Sequence, residues 1–338
     1  MKVTFVVEPF FLKNRIFSLT DPVANRDNCQ APFARLRTRL SESGISIDTQ
    51  DITPVSDANA VLFLNAPRAN NWTWHTAIAM SIPIHVLALE SEYIHAPNGD
   101  RSLLDQCKSV FTYRDDWVDG VRYFPIRYAQ GLHTPKRWQW KNRKFACMLA
   151  GNKWSHHADE LYSARKRVID WYQSNAPERF SLFGPGWEMP TPKSFMHKVF
   201  RRIPGLRECL APNLSVWRGQ VNSKAETIAG YRFCYCFENF SGPSGWVTEK
   251  IFDAMLAGAI PVYWGHPDTS RHIPSACYVD AARFSSIEAL DTFLRQMSDS
   301  ECSAMQASVS QFLTSQDARE FSIDTFVATI AGRLEAEA

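Results

Sequence analysis

Short apolar runs alternate with helical spacings along the first half of the chain. Val3–Val7 is an apolar run of strand length, and Ala31–Ser43 carries Phe33, Leu36 and Leu40 at helical spacing before a stop at Gly44. Ile45–Ile47, Ala60–Leu64 and Ile84–Leu89 read as further strands. A helix near Thr73–Met80 fills the interval before the last of them, and Val110–Thr112 adds one more short strand. Strand and helix in alternation predict an α/β fold with a parallel sheet covered by helices. Sheets of this kind bind ligands at the loops leaving the carboxyl ends of their strands.

The alternation breaks at Thr134–Lys144, a basic stretch carrying Trp138 and Trp140, and then restarts. The second series is strand Phe145–Leu149, helix Ala158–Gln173, strand Phe180–Phe183, an irregular segment, helix Ala225–Tyr231, strand Phe233–Phe237, helix Val247–Ala257 and strand Ile260–Trp264. A helical region over about Ser286–Ala331 closes the chain without a repeat or a heptad run. The division is therefore set at residues 1–140 and 141–338, two doubly wound units expected to face a cleft. The last helix is a candidate to pack back on the N-terminal unit.

Composition agrees with two folded cores: 338 residues are 45% hydrophobic and 21% charged, which excludes a disordered or fibrous chain. The 37 Lys and Arg against 35 Asp and Glu leave +2, too little excess for a dedicated nucleic-acid binder. A small anionic ligand needs only two or three well-placed cations. Eleven Trp is a high count that suits a sugar-handling protein, though Trp also fills cores. None of the eight Cys forms a C-x-x-C pair, so zinc and disulfide frameworks are both weakly supported. The apolar start is interrupted by Glu8 and Pro9, unlike a signal peptide, and no window approaches the roughly 18 uninterrupted apolar residues of a membrane span. The expectation is a cytoplasmic protein with reduced thiols, its N-x-[ST] sites at Asn71, Asn213 and Asn239 unglycosylated.

Several patterns fail. Gly184-Pro-Gly186 opens like a dinucleotide fingerprint, but Met189 stands where the third glycine would be. There is no phosphate-binding G-x-x-x-x-G-K-[ST], no H-E-x-x-H and no D-x-D. His156 and His157 with Asp159 and Glu160 offer metal-ligand types, but adjacent side chains on a helix diverge, and no metal is expected.

The stretch Tyr231–Gly265 holds the chemistry. A buried strand delivers Glu238 and Asn239 to its carboxyl end, the loop Ser241-Gly-Pro-Ser-Gly245 follows, and a helix begins near Trp246 and stops at Gly258. Unpaired N–H groups and the positive dipole end at a helix start favour an anion. Lys250 adds a full charge in the first turn, and Glu249 beside it can hold a sugar hydroxyl. The grouping suits a diphosphate sugar; the same spacing also describes a capped helix with a solvated Glu–Lys pair.

Phe237-Glu-Asn239, Trp246-Val-Thr-Glu-Lys250, Ala257-Gly-Ala-Ile-Pro-Val-Tyr-Trp-Gly265 and Ile273-Pro274 together resemble the signature of the family 10 α1,3/4-fucosyltransferases. Gly219-Gln-Val-Asn-Ser-Lys224, Phe183-Gly-Pro-Gly-Trp187 and Phe111-Thr-Tyr-Arg-Asp-Asp116 extend the likeness over roughly residues 85–285. The resemblance implies a GT-B fold, acceptor on the N-terminal side and GDP-fucose mainly on the C-terminal side, with no D-x-D metal pair needed and no cofactor required. By similarity Glu249 holds the ribose, Lys250 the diphosphate, and Asn239 and Glu238 lie by the donor. Trp246 stands where the family often has Tyr and keeps a stacking role. A diphosphate-binding Arg after the first C-terminal strand matches Arg165, with Arg167 the competitor. The family's base, a Glu in a Glu-Ser-Pro-like segment, matches Glu90; Glu92 replaces the Pro and is the alternative. The implied reaction is inverting transfer of L-fucose from GDP-β-L-fucose to a glycan acceptor, an oligosaccharide or glycolipid, α1,3 to N-acetylglucosamine of a lactosamine-type glycan. A transferase for another GDP-sugar and a non-catalytic carbohydrate-binding protein are the alternatives.

Independently of that likeness, Lys193–Ile203 places Phe195, Met196, Val199, Phe200 and Ile203 on one helical face, with Lys198, Arg201 and Arg202 largely elsewhere. This pattern describes either a membrane-surface helix, making the protein peripheral to a membrane, or a helix packed on its own domain.

Overall fold

The computed structural model describes residues 1–135 and 142–338. Most of the basic stretch at which the sequence divides lies outside the described residues. From the start, the chain forms β1 (Lys2–Val6), α1 (Ala31–Glu42), β2 (Ser46–Thr49), β3 (Ala60–Leu64), α2 (Trp72–Ala79), β4 (Ile84–Ala88), α3 (Arg101–Leu104), β5 (Ser109–Thr112) and β6 (Tyr123–Pro125). These strands make a parallel sheet in the order β2-β1-β3-β4-β5-β6. Period-two side-chain direction decides the cores. Val3, Phe5, Leu62, Leu87 and Phe111 pack on one face with Leu36 and Leu40 of α1. Val6, Val61, Phe63, Val86 and Val110 pack on the other with Trp74 and Ala77 of α2.

The second series is β7 (Lys144–Leu149), α4 (Tyr162–Asn175), β8 (Phe180–Phe183), α5 (Phe195–Phe200), α6 (Leu206–Cys209), α7 (Lys224–Ile228), β9 (Tyr231–Tyr235), α8 (Glu249–Leu256), β10 (Ile260–Tyr263), β11 (Val279–Asp280), α9 (Ile287–Gln296) and α10 (Asp299–Leu313). Its sheet is also parallel, ordered β11-β10-β9-β7-β8. Ala146, Met148, Phe180, Leu182, Phe233, Tyr235 and Val262 form a core with Val168, Ile169 and Tyr172 of α4 and Leu290 and Leu294 of α9.

The closing helix α11 (Ile323–Glu335) lies against α1, placing Phe326, Val327, Ile330 and Leu334 in the first unit's core. By packing, one compact unit is residues 1–131 with 243–246 and 316–338; the other is 132–242 with 247–315. The units thus divide at Gly131–Leu132, and the first also takes the four-residue segment Pro243–Trp246. The α/β class and the parallel sheets agree with the sequence reading.

Three local differences have physical causes. The helix expected from Ala158 starts at Tyr162, because Leu161 N donates to Asn239 O at 2.9 Å and Glu160 bridges to Phe240. Backbone pairing there outweighs helical propensity. The expected Lys193–Ile203 helix is only α5, six residues long; Arg201 donates to Pro190 O at 3.0 Å and Gly205 turns the chain at φ +80°. No single amphipathic helix spans that stretch, and the side chains of Phe195 and Lys198 lie outside the described residues. Strands β6 and β11, of three and two residues, carry too little sequence to show a period.

Among the described residues no helix is long and apolar enough to cross a membrane. None of the eight cysteines forms a disulfide among the described residues.

Candidate functional site

Strand β9 is central in its sheet, between β10 and β7, and α4 follows β7, so the strand order reverses between β7 and β9. Such a reversal opens a crevice at the strands' carboxyl ends. Arg165, on the first turn of α4, and Asn239, beyond the end of β9, meet there: Arg165 Nη2 donates to Asn239 Oδ1 at 2.9 Å and to Phe237 O at 2.6 Å. Arg165 is buried, whereas Arg167 is exposed on the outer side of the same helix. The structure therefore favours Arg165 of the two. Burial pulls its pKa below the usual arginine value, opposed by Tyr162, Glu238 and Glu249. Its Nε and Nη1 make no hydrogen bond among the described residues and remain available to a ligand.

Glu238 is fully enclosed. Its carboxylate accepts from Thr248 N at 3.0 Å, Thr248 Oγ1 at 2.8 and 2.9 Å, Lys250 Nζ at 3.1 Å and Tyr263 OH at 3.3 Å. Burial and the adjacent Glu238 charge push the Tyr263 hydroxyl pKa well up, so it stays a donor. Two sequence expectations change here. Glu238 has no free face for a donor sugar; it holds Thr248 and Lys250 in place. The start of α8 is also not a bare positive end, because a protein carboxylate already takes the Thr248 N–H. An anion would be held by side-chain cations rather than by the helix terminus.

Lys250 is one such cation. Two of its three N–H groups go to Glu238 and, at 2.8 Å, to Thr248 Oγ1, leaving one for an anion. Burial alone would lower its pKa, but Glu238 and Glu249 outweigh burial and hold it above its ordinary value. Glu249 Oε1 sits 3.8 Å from Lys250 Nζ and 3.9 Å from Lys224 Nζ, with its side chain 36% exposed. Burial opposes its ionisation, yet the two lysines prevail and hold its pKa at about 2. Arg165, Lys224 and Lys250 are thus interleaved with Glu238, Glu249 and Asp253, a near-neutral cluster with an open carboxylate and two cations with unused donors.

Trp246 is only 2% exposed and stacks on Tyr113, with centroids 5.7 Å apart and planes at 26°. Its ring packs in the first unit and offers no open face to a ligand. Gly245 before it has φ +80°, and a Cβ there would lie 2.1 Å from Tyr113 O, so only glycine lets the segment seat. Gly184 has the same kind of reason: a Cβ would meet Ala150 O at 2.3 Å. Close backbone approach, not a dinucleotide, explains Gly184-Pro-Gly186.

In the first unit, Glu90 and Glu92 follow β4. Asn65, at φ +65°, accepts from Leu89 N and Glu90 N at 3.1 and 2.9 Å, and Asn98 Nδ2 donates to Glu90 O at 2.7 Å. These two asparagines fix the loop that bears Glu90, and sequence reasoning missed both. Asn65, just beyond the end of β3, carried the only signal; Asn98 lies well past β4. The Glu90 carboxylate accepts from Ser91 N at 3.1 Å. Glu92 is instead committed to Tyr113 OH and the Arg114 guanidinium, each at 2.5 Å. The two carboxylates thus have different partners, Glu90 on its own loop and Glu92 on Tyr113 and Arg114. Among the described residues no group of three or more His, Cys, Asp or Glu is arranged to hold a metal.

Residues 208–306 match the family model for the C-terminal region of glycosyltransferase family 10 (fucosyltransferase). This stretch contains Glu238, Asn239, Glu249 and Lys250. An α-(1,3)-fucosyltransferase FucT of Helicobacter pylori is 40% identical over 72 residues, 21% of this chain and 15% of that protein. The α-(1,3)-fucosyltransferase 7 of Rattus norvegicus is 38% identical over 146 residues, 40% of this chain and 34% of that one. The chain thus spans about a third or less of the length of these relatives. A crystal structure of an α1,3-fucosyltransferase with GDP-fucose superposes with a TM-score of 0.56 over 99% of this chain and 90% of its own, at 17% identity, a likeness of fold. That fold is GT-B.

Proposed function

We propose that this chain, a family 10 glycosyltransferase of the fucosyltransferase type, moves an L-fucosyl group from GDP-β-L-fucose to a hydroxyl of a glycan. The observation that carries the reading is the Arg165–Asn239 and Lys250–Glu249 cluster beyond β9, where unused cationic donors stand beside an ionised, part-exposed carboxylate.

The chemistry needs those groups. An acceptor oxygen forms a bond to the anomeric carbon as the bond from that carbon to the β-phosphate oxygen breaks. Negative charge grows on the diphosphate, and Lys250 and Arg165 stabilise it as it develops. Glu249 accepts hydrogen bonds from the ribose hydroxyls. Glu90 takes the acceptor proton. Attack opposite GDP turns a β-linked donor into an α-linked product. An N-acetylglucosamine of a lactosamine-type glycan, linked α1,3, is the proposed acceptor, with no cofactor required. The domain roles proposed are acceptor in the N-terminal unit and donor in the C-terminal unit.

Incubation with GDP-fucose and N-acetyllactosamine, followed by mass spectrometry and GDP release, tests the reading. A product heavier by one deoxyhexose supports it. Turnover only with GDP-mannose shifts the donor, and GDP-fucose binding without turnover leaves a carbohydrate-binding protein. Failure to bind GDP at all overturns the proposal. Peripheral membrane contact is proposed for the exposed Met196, Ile203, Leu206 and Leu210 near Arg202. Co-flotation with anionic vesicles, lost in Met196→Ser/Ile203→Ser, tests that, as does the location of the protein in cells for a cytoplasmic site.

A further inference from the structure

The stretch ending at Lys224 resembles the family but has no role in the chemistry above. Ser223 caps the five-residue helix α7, its hydroxyl accepting from Glu226 N at 3.2 Å, and Lys224 is the first helical residue. Helix α7 packs against α8. Lys224 Nζ lies 2.9 Å from Asp253 Oδ2 and 3.9 Å from Glu249 Oε1, and its side chain is 21% exposed. Glu249 and Asp253 stand four residues apart on α8 and so share a face. The lysine spans them like a brace from a separate helix.

That brace fixes something specific. Glu249 is the first residue of α8, and its carboxylate is favoured in the ionised form by the Thr248 side chain and a backbone N–H. One carboxylate oxygen is also flanked by two ammonium groups that are each anchored elsewhere, Lys250 by Glu238 and Thr248, Lys224 by Asp253. A carboxylate that must accept two hydroxyl hydrogen bonds is useful only while ionised and held in one place. Lys250 has a second duty toward an anion in the reading above, whereas Lys224 reaches Glu249 from a separate helix.

We infer that Lys224 is a positioning residue for Glu249: through Asp253 and the first turns of α8 it holds the carboxylate where it can receive a pair of ribose hydroxyls. The inference rests on the reading of Glu249 given above. Removal of Lys224 is therefore expected to act on one discrimination, ribose against deoxyribose.

The test is calorimetric binding of GDP and of 2′,3′-dideoxy-GDP to the full chain, in the wild type, Lys224→Met and Lys224→Arg, with thermal melts alongside. The wild type is expected to favour GDP about tenfold or more. In Lys224→Met that ratio falls to within about twofold of one, while affinity for the dideoxy analogue stays within about twofold of wild type. Lys224→Arg, which keeps the charge and reach, restores most of the ratio. A ratio unchanged in Lys224→Met overturns the inference and leaves the Glu249 reading standing. A wild type that binds GDP without preferring it to the analogue removes the Glu249 reading, and the inference falls with it. If Lys224→Met does not fold, Asp253→Asn replaces it: this substitution releases the lysine from its anchor, and a reduced ratio supports the inference where an unchanged one refutes it.

Discussion

Replacing Lys250 by Met shows how closely binding and folding are tied at this site. The methionine keeps the apolar stem but leaves the Glu238 carboxylate enclosed and without its cation. Breaking a buried ion pair by removing one partner costs about 3–5 kcal/mol. Two features reduce that here. Lys250 is 22% exposed, so water reaches part of the site, and Glu238 keeps its bonds from Thr248 and Tyr263. The expected loss is about 2–3 kcal/mol, or roughly 5–10 °C in Tm for a unit of this size. Adding Glu238→Gln removes the orphaned charge and should recover at least about 1 kcal/mol, a coupling typical of residues in direct contact. Thermal melts of the two single variants and the double, in one buffer at pH 7, measure this. GDP titration of the same proteins separates binding from folding: the double variant should be firmer than Lys250→Met yet still bind GDP at least tenfold more weakly than wild type. A double variant no more stable than the single one refutes the coupling. One that regains stability and GDP affinity together refutes Lys250 as the diphosphate cation.

Other outcomes follow from the same geometry. Glu249 has a folded pKa of about 2 against an ordinary 4.5, so it adds stability above about pH 4.5 that is lost as pH falls toward 2; Glu249→Gln should flatten that part of a stability–pH curve, and an unchanged curve would contradict the two-lysine environment. Glu90→Gln should keep GDP affinity and lower turnover by about 10²–10⁴, whereas Glu92→Gln should mainly lower Tm by weakening the bonds from Arg114 and Tyr113, with Arg114 keeping Asp116, so steady-state rates beside melts distinguish them. Brief iodoacetamide treatment of the native protein at pH 8 should modify Cys29 and Cys209, the two exposed thiols, and spare Cys107 and Cys277, which burial pushes up to about 12; peptide mass spectrometry reads the pattern, and early labelling of Cys107 would contradict it.

The residues that bear charge at the site were readable because they sit in one continuous stretch. Glu238, Asn239, Glu249 and Lys250 fall within thirteen positions spanning a strand end, a turn and a helix start, and local chain geometry brings them together. The strands likewise announced themselves, since a strand buried on both faces must be apolar throughout. Tertiary structure alone decided what each group does. Glu238 and Trp246 look like ligand residues in the motif, but packing encloses one under Thr248, Lys250 and Tyr263 and stacks the other on Tyr113. Asn65 and Asn98 hold the Glu90 loop from 25 and 8 residues away, and Lys224 braces Glu249 from 25 residues away, distances at which no periodicity carries a signal. A pattern along the chain records which face a residue turns toward the core; which partner it meets there depends on strand order and on the close approach of segments, and only the folded chain sets those.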